Sequence, residues 1–327
     1  MPTFSLLSAT RSIEATMSFV LYRFLVYLGL AGACLLAALA GAGTLMAFAS
    51  FSSKPGTVAG FGAWLGLIGC GYIVHKFRAG LFFNVQAGHL ALLAQQADGH
   101  KLPEGKAQVE FAKQAAAAAI TPELFHRVAT ARTAAAADLV ADLPPPAQPA
   151  LRGVQQGAAA FLARTAAAAA FALHFRNPAG DPWRAAESGL LSLGLHLRPL
   201  LLCQIQALAL EFAGFAAGFA AMLYPVDSAA SLLPVDVGYW RYVFALVFGW
   251  GIQSAFFTPI ATTAMAQMFF ALGAPAGEAA DTLRRRLVER SEAFRHLAAR
   301  GQGTARVAAD AGPEPAGETR GDGQPPA

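Results

Sequence analysis

The chain is predicted to be all-α and polytopic, with about four transmembrane helices and a large amphipathic helical region at one membrane face. Three observations carry this. The stretch from Phe24 to Ser53 holds no charged residue, longer than the roughly 20 helical residues that cross a bilayer core. Thr57–Val74, Pro199–Tyr224 and Tyr242–Leu272 are also nearly free of charge. Charged residues make up 13% of the chain, against roughly 25% in soluble domains.

Residues 1–78 read as an N-terminal hairpin, with spans at about 24–50 and 57–75 joined by the turn Lys54-Pro55-Gly56. Ala47-Phe48-Ala49 mimics a signal cleavage site. The apolar run before it exceeds a signal h-region and a second span follows at once, so the segment reads as an uncleaved anchor. Gly62 and Gly66 lie one turn apart on the second span. Two bare backbone patches at that spacing allow a neighbouring helix to approach closely. Packing within the hairpin is the expected use, with homodimerisation as the alternative.

Residues 79–198 are expected to be helical and to rest on the membrane surface. Leu81, Val85, His89, Leu92 and Leu93 recur at helical spacing, the pattern of a helix with one apolar face. Asp98-Gly99 breaks it, and Glu104–Ile120 forms the next helix. Thr121-Pro122-Glu123 is a helix start: a capping hydroxyl, a proline in the first turn, and an acid near the positive end of the dipole. That helix should reach about Leu143 and stop at Pro144-Pro145-Pro146. Leu151–Arg176 has only the stretch between Arg164 and Arg176 free of charge, too short to span, and reads as an interfacial or core helix. Asp181-Pro182-Trp183 repeats the cap-plus-proline start.

Residues 199–273 form the C-terminal hairpin, with spans at about 199–224 and 242–272. Pro259 removes one backbone donor from the last span and crowds the preceding turn, so a kink is expected near Gln253–Pro259. Residues 274–300 read as one basic amphipathic helix, and 301–327 as a disordered tail.

Charge sets the expected topology. All of the 24 Lys and Arg residues except Lys54 and Arg241 fall in the N-terminus, the central region or the tail. Basic residues near span ends remain on the cytoplasmic side. Both termini and the central region are therefore expected in the cytoplasm. Tyr239, Trp240 and Tyr242 are expected at the outer headgroup level.

Glu211 is the only formally charged residue inside a span. Counting about 1.5 Å per residue from Pro199 places it near mid-bilayer. A carboxylate there is costly, so it must be neutral or paired. Gln253, Ser254 and Thr258 are its candidate partners. Arg284, Arg285 and Arg286 are candidates for contact with anionic headgroups. No Walker loop, GxSxG or HExxH is present, and the expectation is a protein that is not an enzyme. No two of the seven histidines stand at i,i+4, and no CxxC occurs, so neither a metal site nor a cofactor is expected. The basic residues lack interleaved aromatics, which argues against nucleic acid. Membrane lipids, a second copy or a membrane-protein partner are the expected companions. The expected role is membrane organisation or lipid and partner binding, with a transporter or channel subunit using Glu211 as the alternative.

Two resemblances attach to particular residues. Lys76-Phe77-Arg78-Ala79-Gly80, Ala87-Gly88-His89, Lys101–Val109, Asn177-Pro178, Asp181-Pro182-Trp183-Arg184 and Arg198-Pro199 resemble an uncharacterised family of bacterial multi-spanning membrane proteins. That likeness covers most of the chain outside the tail and implies no activity. The helix leading through an Arg into a span, followed by Phe256-Phe257 and Phe269-Phe270, is similar in outline to the C-terminal part of choline-transporter-like proteins. It implies an architecture only.

Overall fold

The computed structural model describes residues 5–49, 54–142, 152–232 and 238–310. Every regular element among them is helical. In chain order they are α1 (Leu6–Ala15), α2 (Met17–Phe48), α3 (Pro55–Ala97), α4 (Lys106–Ala119), α5 (Pro122–Asp138), α6 (Arg152–Ala170), α7 (Ala172–Arg176), α8 (Pro182–Leu195), α9 (Leu197–Ala230), α10 (Trp240–Ile252), α11 (Thr258–Leu272), α12 (Glu278–Arg290) and α13 (Glu292–Asp310).

The chain is a multi-pass membrane protein. Among the described residues, five segments are long and apolar enough to cross a bilayer: Met17–Phe48, Pro55–Ala97, Gly153–Arg176, Leu197–Ala230 and Trp240–Leu272. The sequence expectation counted about four and set the third of these aside because of Arg164. That segment differs from the rest. Of its apolar window 56% is buried inside the protein, against 11–33% for the others.

The α2–α3 hairpin closes on small residues. A Cβ built on Gly62 would overlap the Gly41 carbonyl oxygen, and one on Gly66 that of Ala37. Backbone-to-backbone contact of this kind is open only to glycine. Cys34 and Cys70 form the next rung, with their sulfurs 3.5 Å apart. Gly218 and Gly249 make a second seam, between α9 and α10. There a Cβ on Gly249 would stand 2.7 Å from the Phe219 nitrogen.

One end of these spans is aromatic. Trp64 Nε1 donates to the Tyr239 hydroxyl at 3.2 Å, and Trp64 and Trp240 lie 5.1 Å apart between ring centroids. Trp240 is buried against Ala38, Ala63 and Phe244, while Tyr239 and Tyr242 are exposed.

At the other end a helical domain grows out of the spans. α3 runs for 43 residues, about 65 Å of helix, and its last turns enter the domain. One core joins Leu93 of α3, Phe125 of α5, Phe171, Leu190 of α8, Leu200 of α9, Phe269 of α11 and Phe294 of α13. The apolar faces of residues 79–198, expected to lie against the membrane, close on one another and on α9 and α11. The predicted starts appear as caps. Thr121 Oγ1 accepts from the Leu124 amide at 3.3 Å and Asp181 Oδ1 from the Trp183 amide at 3.0 Å.

The C-terminal region corrects two expectations. Residues 274–300 are not one helix: Ser291 takes extended backbone angles between α12 and α13. Its hydroxyl accepts from the Phe294 amide at 3.0 Å and bonds Asp138, so Ser291 caps a new helix. That helix runs on through Gly301 to Asp310, where a tail was expected, and Arg184 Nε donates to the Gly301 carbonyl at 3.2 Å. The rest of the expected tail, 311–327, and the proline stop at Pro144-Pro145-Pro146 lie outside the described residues. α1 was not anticipated. It packs on α11, where Gln267 Nε2 donates to Ser12 Oγ at 2.9 Å.

Candidate functional site

The polar residues of the spans converge where α2, α3, α9 and the last span meet. The last span is interrupted there by a π-helical turn, Gln253–Phe257, just before Pro259. In this turn the Thr258 amide bonds back to the Gln253 carbonyl, five residues away. The Ser254 carbonyl, in the same register, would need an N–H from Pro259, which has none. A buried carbonyl without a partner costs free energy comparable to a lost hydrogen bond. Arg23 supplies the donor: its Nη2 lies 2.9 Å from Ser254 O. Its Nη1 donates to Val85 O at 3.3 Å. Arg23 is 3% exposed and stands 6.0 Å from the Tyr27 ring centroid.

Glu211 faces this guanidinium from α9 and interacts with it electrostatically. Its carboxylate also interacts with the Thr258 hydroxyl. Thr258 Oγ1 in turn accepts from Gln253 Nε2 at 2.9 Å, and Ser254 Oγ donates to Gln253 Oε1 at 3.2 Å. Glu211, Thr258, Gln253 and Ser254 thus line up as a chain of polar side chains, with Arg23 within electrostatic reach of the carboxylate. His89 lies close by on α3. It is 1% exposed, stacks on Phe19 at 6.4 Å between ring centroids, and its Nε2 is 3.3 Å from Thr263 Oγ1.

Depth along the helix is read by counting rises. Glu211 stands about 24 Å of helix from Asp227 at roughly 1.5 Å per residue. Asp227 pairs with Arg241 at 2.9 Å, at the aromatic end. Leu200 and Leu201, at the start of α9, belong to the domain core. Glu211 stands about midway along the uncharged stretch Pro199–Tyr224.

The chemistry of this arrangement is charge compensation in a low-dielectric setting. Glu211 is half-buried and within electrostatic reach of the buried Arg23 guanidinium, so each offsets part of the other's cost in that setting. Reasoning from sequence found Glu211, Gln253, Ser254 and Thr258 but missed Arg23 and His89. Arg23 precedes the uncharged run and reads as a topology signal, and His89 reads as one more position in an apolar stripe.

The other singled-out residues lie elsewhere. Gly62 and Gly66 face α2 within the chain. Arg284 is held by Glu187, at 2.5 Å, in the helical domain. Arg285 donates to Thr282 at 3.2 Å, within α12. Arg286 lines a shallow surface groove with Glu278 and Thr282. Arg284 thus turns to Glu187, while Arg285 and Arg286 both lie beside Thr282. No group of three or more His, Cys, Asp and Glu suited to a metal occurs among the described residues. No family model, characterised relative or solved structure matches the chain.

Proposed function

We propose that the protein organises lipid or partner proteins at the inner face of a bacterial cytoplasmic membrane and is not an enzyme. Four spans cross the bilayer, Gly153–Arg176 belongs to the domain, and both termini lie inside. The supporting observation is continuity: α3, α9 and α11 each run from the apolar spans into the single domain core. A domain joined to its anchor through three helices is held in fixed orientation, as a docking platform requires. The test is mild-detergent purification of the full chain followed by native mass spectrometry. Retained lipid or a stoichiometric protein partner supports the platform. A bare chain that moves a solute across proteoliposomes overturns it.

A second reading, a transporter or channel subunit, is favoured by Arg23, Glu211 and Thr258 lying near a π-helical turn. Ionisable residues within a membrane mark pathways by default, and π-turns cluster at functional sites. Glu211 would be the coupling carboxylate, and oligomerisation would supply further spans. Replacing Glu211 by Gln removes titration while preserving shape. Unchanged pH dependence of transport would exclude the coupling role.

A further inference from the structure

We infer that the groove between α3 and α5 at the domain end of the spans binds the headgroup of an anionic phospholipid. This rests on the lipid-binding form of the reading above. The uncharged run of the second span ends at Val74, and Lys76 and Arg78 follow, both exposed. The groove opens at that level, where headgroups meet a helix leaving the hydrocarbon. Its volume is about 290 Å³, the scale of a headgroup rather than of a whole lipid.

The two walls are matched stripes. Arg78, Phe82 and Gln86 stand at i, i+4 and i+8 on α3, facing His126, Thr130 and Thr133 on α5. That spacing puts each set on one helix face. Polar groups suited to a phosphodiester come from both walls: the Arg78 guanidinium, which can bind phosphate in a bidentate fork, and the imidazole of His126. The Thr130 and Thr133 hydroxyls already donate to their own helix, to His126 O at 2.9 Å and Ala129 O at 2.8 Å. They shape the wall rather than grip the ligand. Phe82, Phe83 and Phe125 supply the apolar floor. None of the described lining residues is acidic, and Arg78 makes no ion pair among the described residues.

Phe77 and Leu81, 63% and 44% exposed on the same stretch of α3, offer a surface for the acyl chains beside the groove. A basic pocket at the cytoplasmic ends of spans is a recurrent setting for anionic headgroups. Free phosphate shares the headgroup chemistry but has no use for this apolar border. The site is separate from Arg284–Arg286, where headgroup contact was first expected.

The test uses the full chain in detergent, delipidated, with native mass spectrometry and thermal melting as readouts. Dioleoylphosphatidylglycerol should form a retained one-to-one adduct and raise Tm, dioleoylphosphatidylcholine should do so at least fivefold less well, and 10 mM inorganic phosphate should not displace the adduct. Arg78→Gln with His126→Gln should lower adduct occupancy at least fivefold and leave the lipid-free Tm unchanged. Equal retention of the two lipids, displacement by phosphate, or full retention in the double variant overturns the site. Should the double variant fail to fold, a photoactivatable phosphatidylglycerol on the native chain decides. Labels on 78–86 and 125–133 support the groove, and labels confined to other segments overturn it. Failure here with a retained protein partner leaves the platform reading standing, whereas loss of both lipid and partner removes it too.

Discussion

Arg23 Nη2 and the Ser254 carbonyl oxygen meet at 2.9 Å, and Pro259 is the reason that oxygen is available. The π-turn passes the Thr258 amide to Gln253, and the next donor in register is a proline nitrogen. A cation from the first span therefore completes a hydrogen-bond ladder broken in the last one. A proline in a membrane helix leaves a backbone group that some neighbour has to satisfy; here that neighbour also brings a positive charge within electrostatic reach of Glu211.

Arg23 and Pro259 should be energetically coupled. Arg23→Met leaves the Ser254 carbonyl without a donor, at about 1–3 kcal/mol, whereas the Val85 carbonyl, inside α3, keeps its helical partner. Pro259→Ala returns an N–H to the helix and should recover part of that loss. Thermal melting of the two single variants and the double variant measures the coupling, expected at roughly 0.5–3 kcal/mol. Strict additivity would mean that the two residues act independently.

Glu211→Gln should retain expression and stability, because the amide still has a group to offer Thr258. Glu211→Ala should cost about 1–3 kcal/mol by leaving polar neighbours unpaired. Complementation of a deletion strain across pH then separates roles. Full rescue by the Gln variant at every pH assigns Glu211 to structure, and pH-restricted failure assigns it to proton coupling.

The α2–α3 seam should distinguish glycines that carry the same sequence signal. Gly62→Leu and Gly66→Leu place a side chain on the opposing backbone and should abolish accumulation of folded protein. Gly69→Ala and Gly71→Ala face open space and should be tolerated, with melting temperature within about a degree of the parent. Size-exclusion chromatography in detergent reads both. Tolerance of Gly62→Leu would show that the seam is not the close contact described.

Arg132, on α5, lies in the domain core, 3% exposed. Its guanidinium stands 4.9 Å from the Phe171 ring centroid, and Nε and Nη1 have no hydrogen-bond partner. Burial pushes its pKa down to about 9 from the ordinary 12.5. Between those values the unfolded chain holds the proton more tightly, so stability rises with pH across that window. Below about 9 the full cost of the buried charge is present. Arg132→Met should therefore stabilise the protein at pH 8, and its advantage should shrink as pH rises towards 10.5. Parallel denaturant melts at the two pH values test the sign, and a variant less stable than the parent at pH 8 would refute it.

Topology follows from the near-span charges and can be read by labelling. In a chain with Cys34, Cys70 and Cys203 replaced by Ala, Leu232→Cys should react with a membrane-impermeant maleimide in intact cells. Lys101→Cys should react only after permeabilisation. Labelling of position 101 from outside would reverse the orientation.

The spans were legible because bilayer thickness acts directly on composition: a run such as Phe24–Ser53 has few other uses. The helix starts at Thr121 and Asp181 were legible too, since a cap is satisfied within three residues of itself. Long-range relationships left no such trace. Arg23 reaches Ser254, and Gln108 ties α4 to the α1–α2 junction through the Phe19 amide at 3.1 Å and the Ala15 carbonyl at 2.9 Å; neither pairing has a local signature. The apolar stripes of 79–198 had two outlets, lipid or one another, and periodicity is the same for both. Only the packing of Phe125, Phe171, Leu190 and Phe294 around the ends of α3, α9 and α11 chose between them. Local hydrogen bonding and hydrophobic length are written residue by residue, whereas the partner of a buried charge depends on which helices the fold sets side by side.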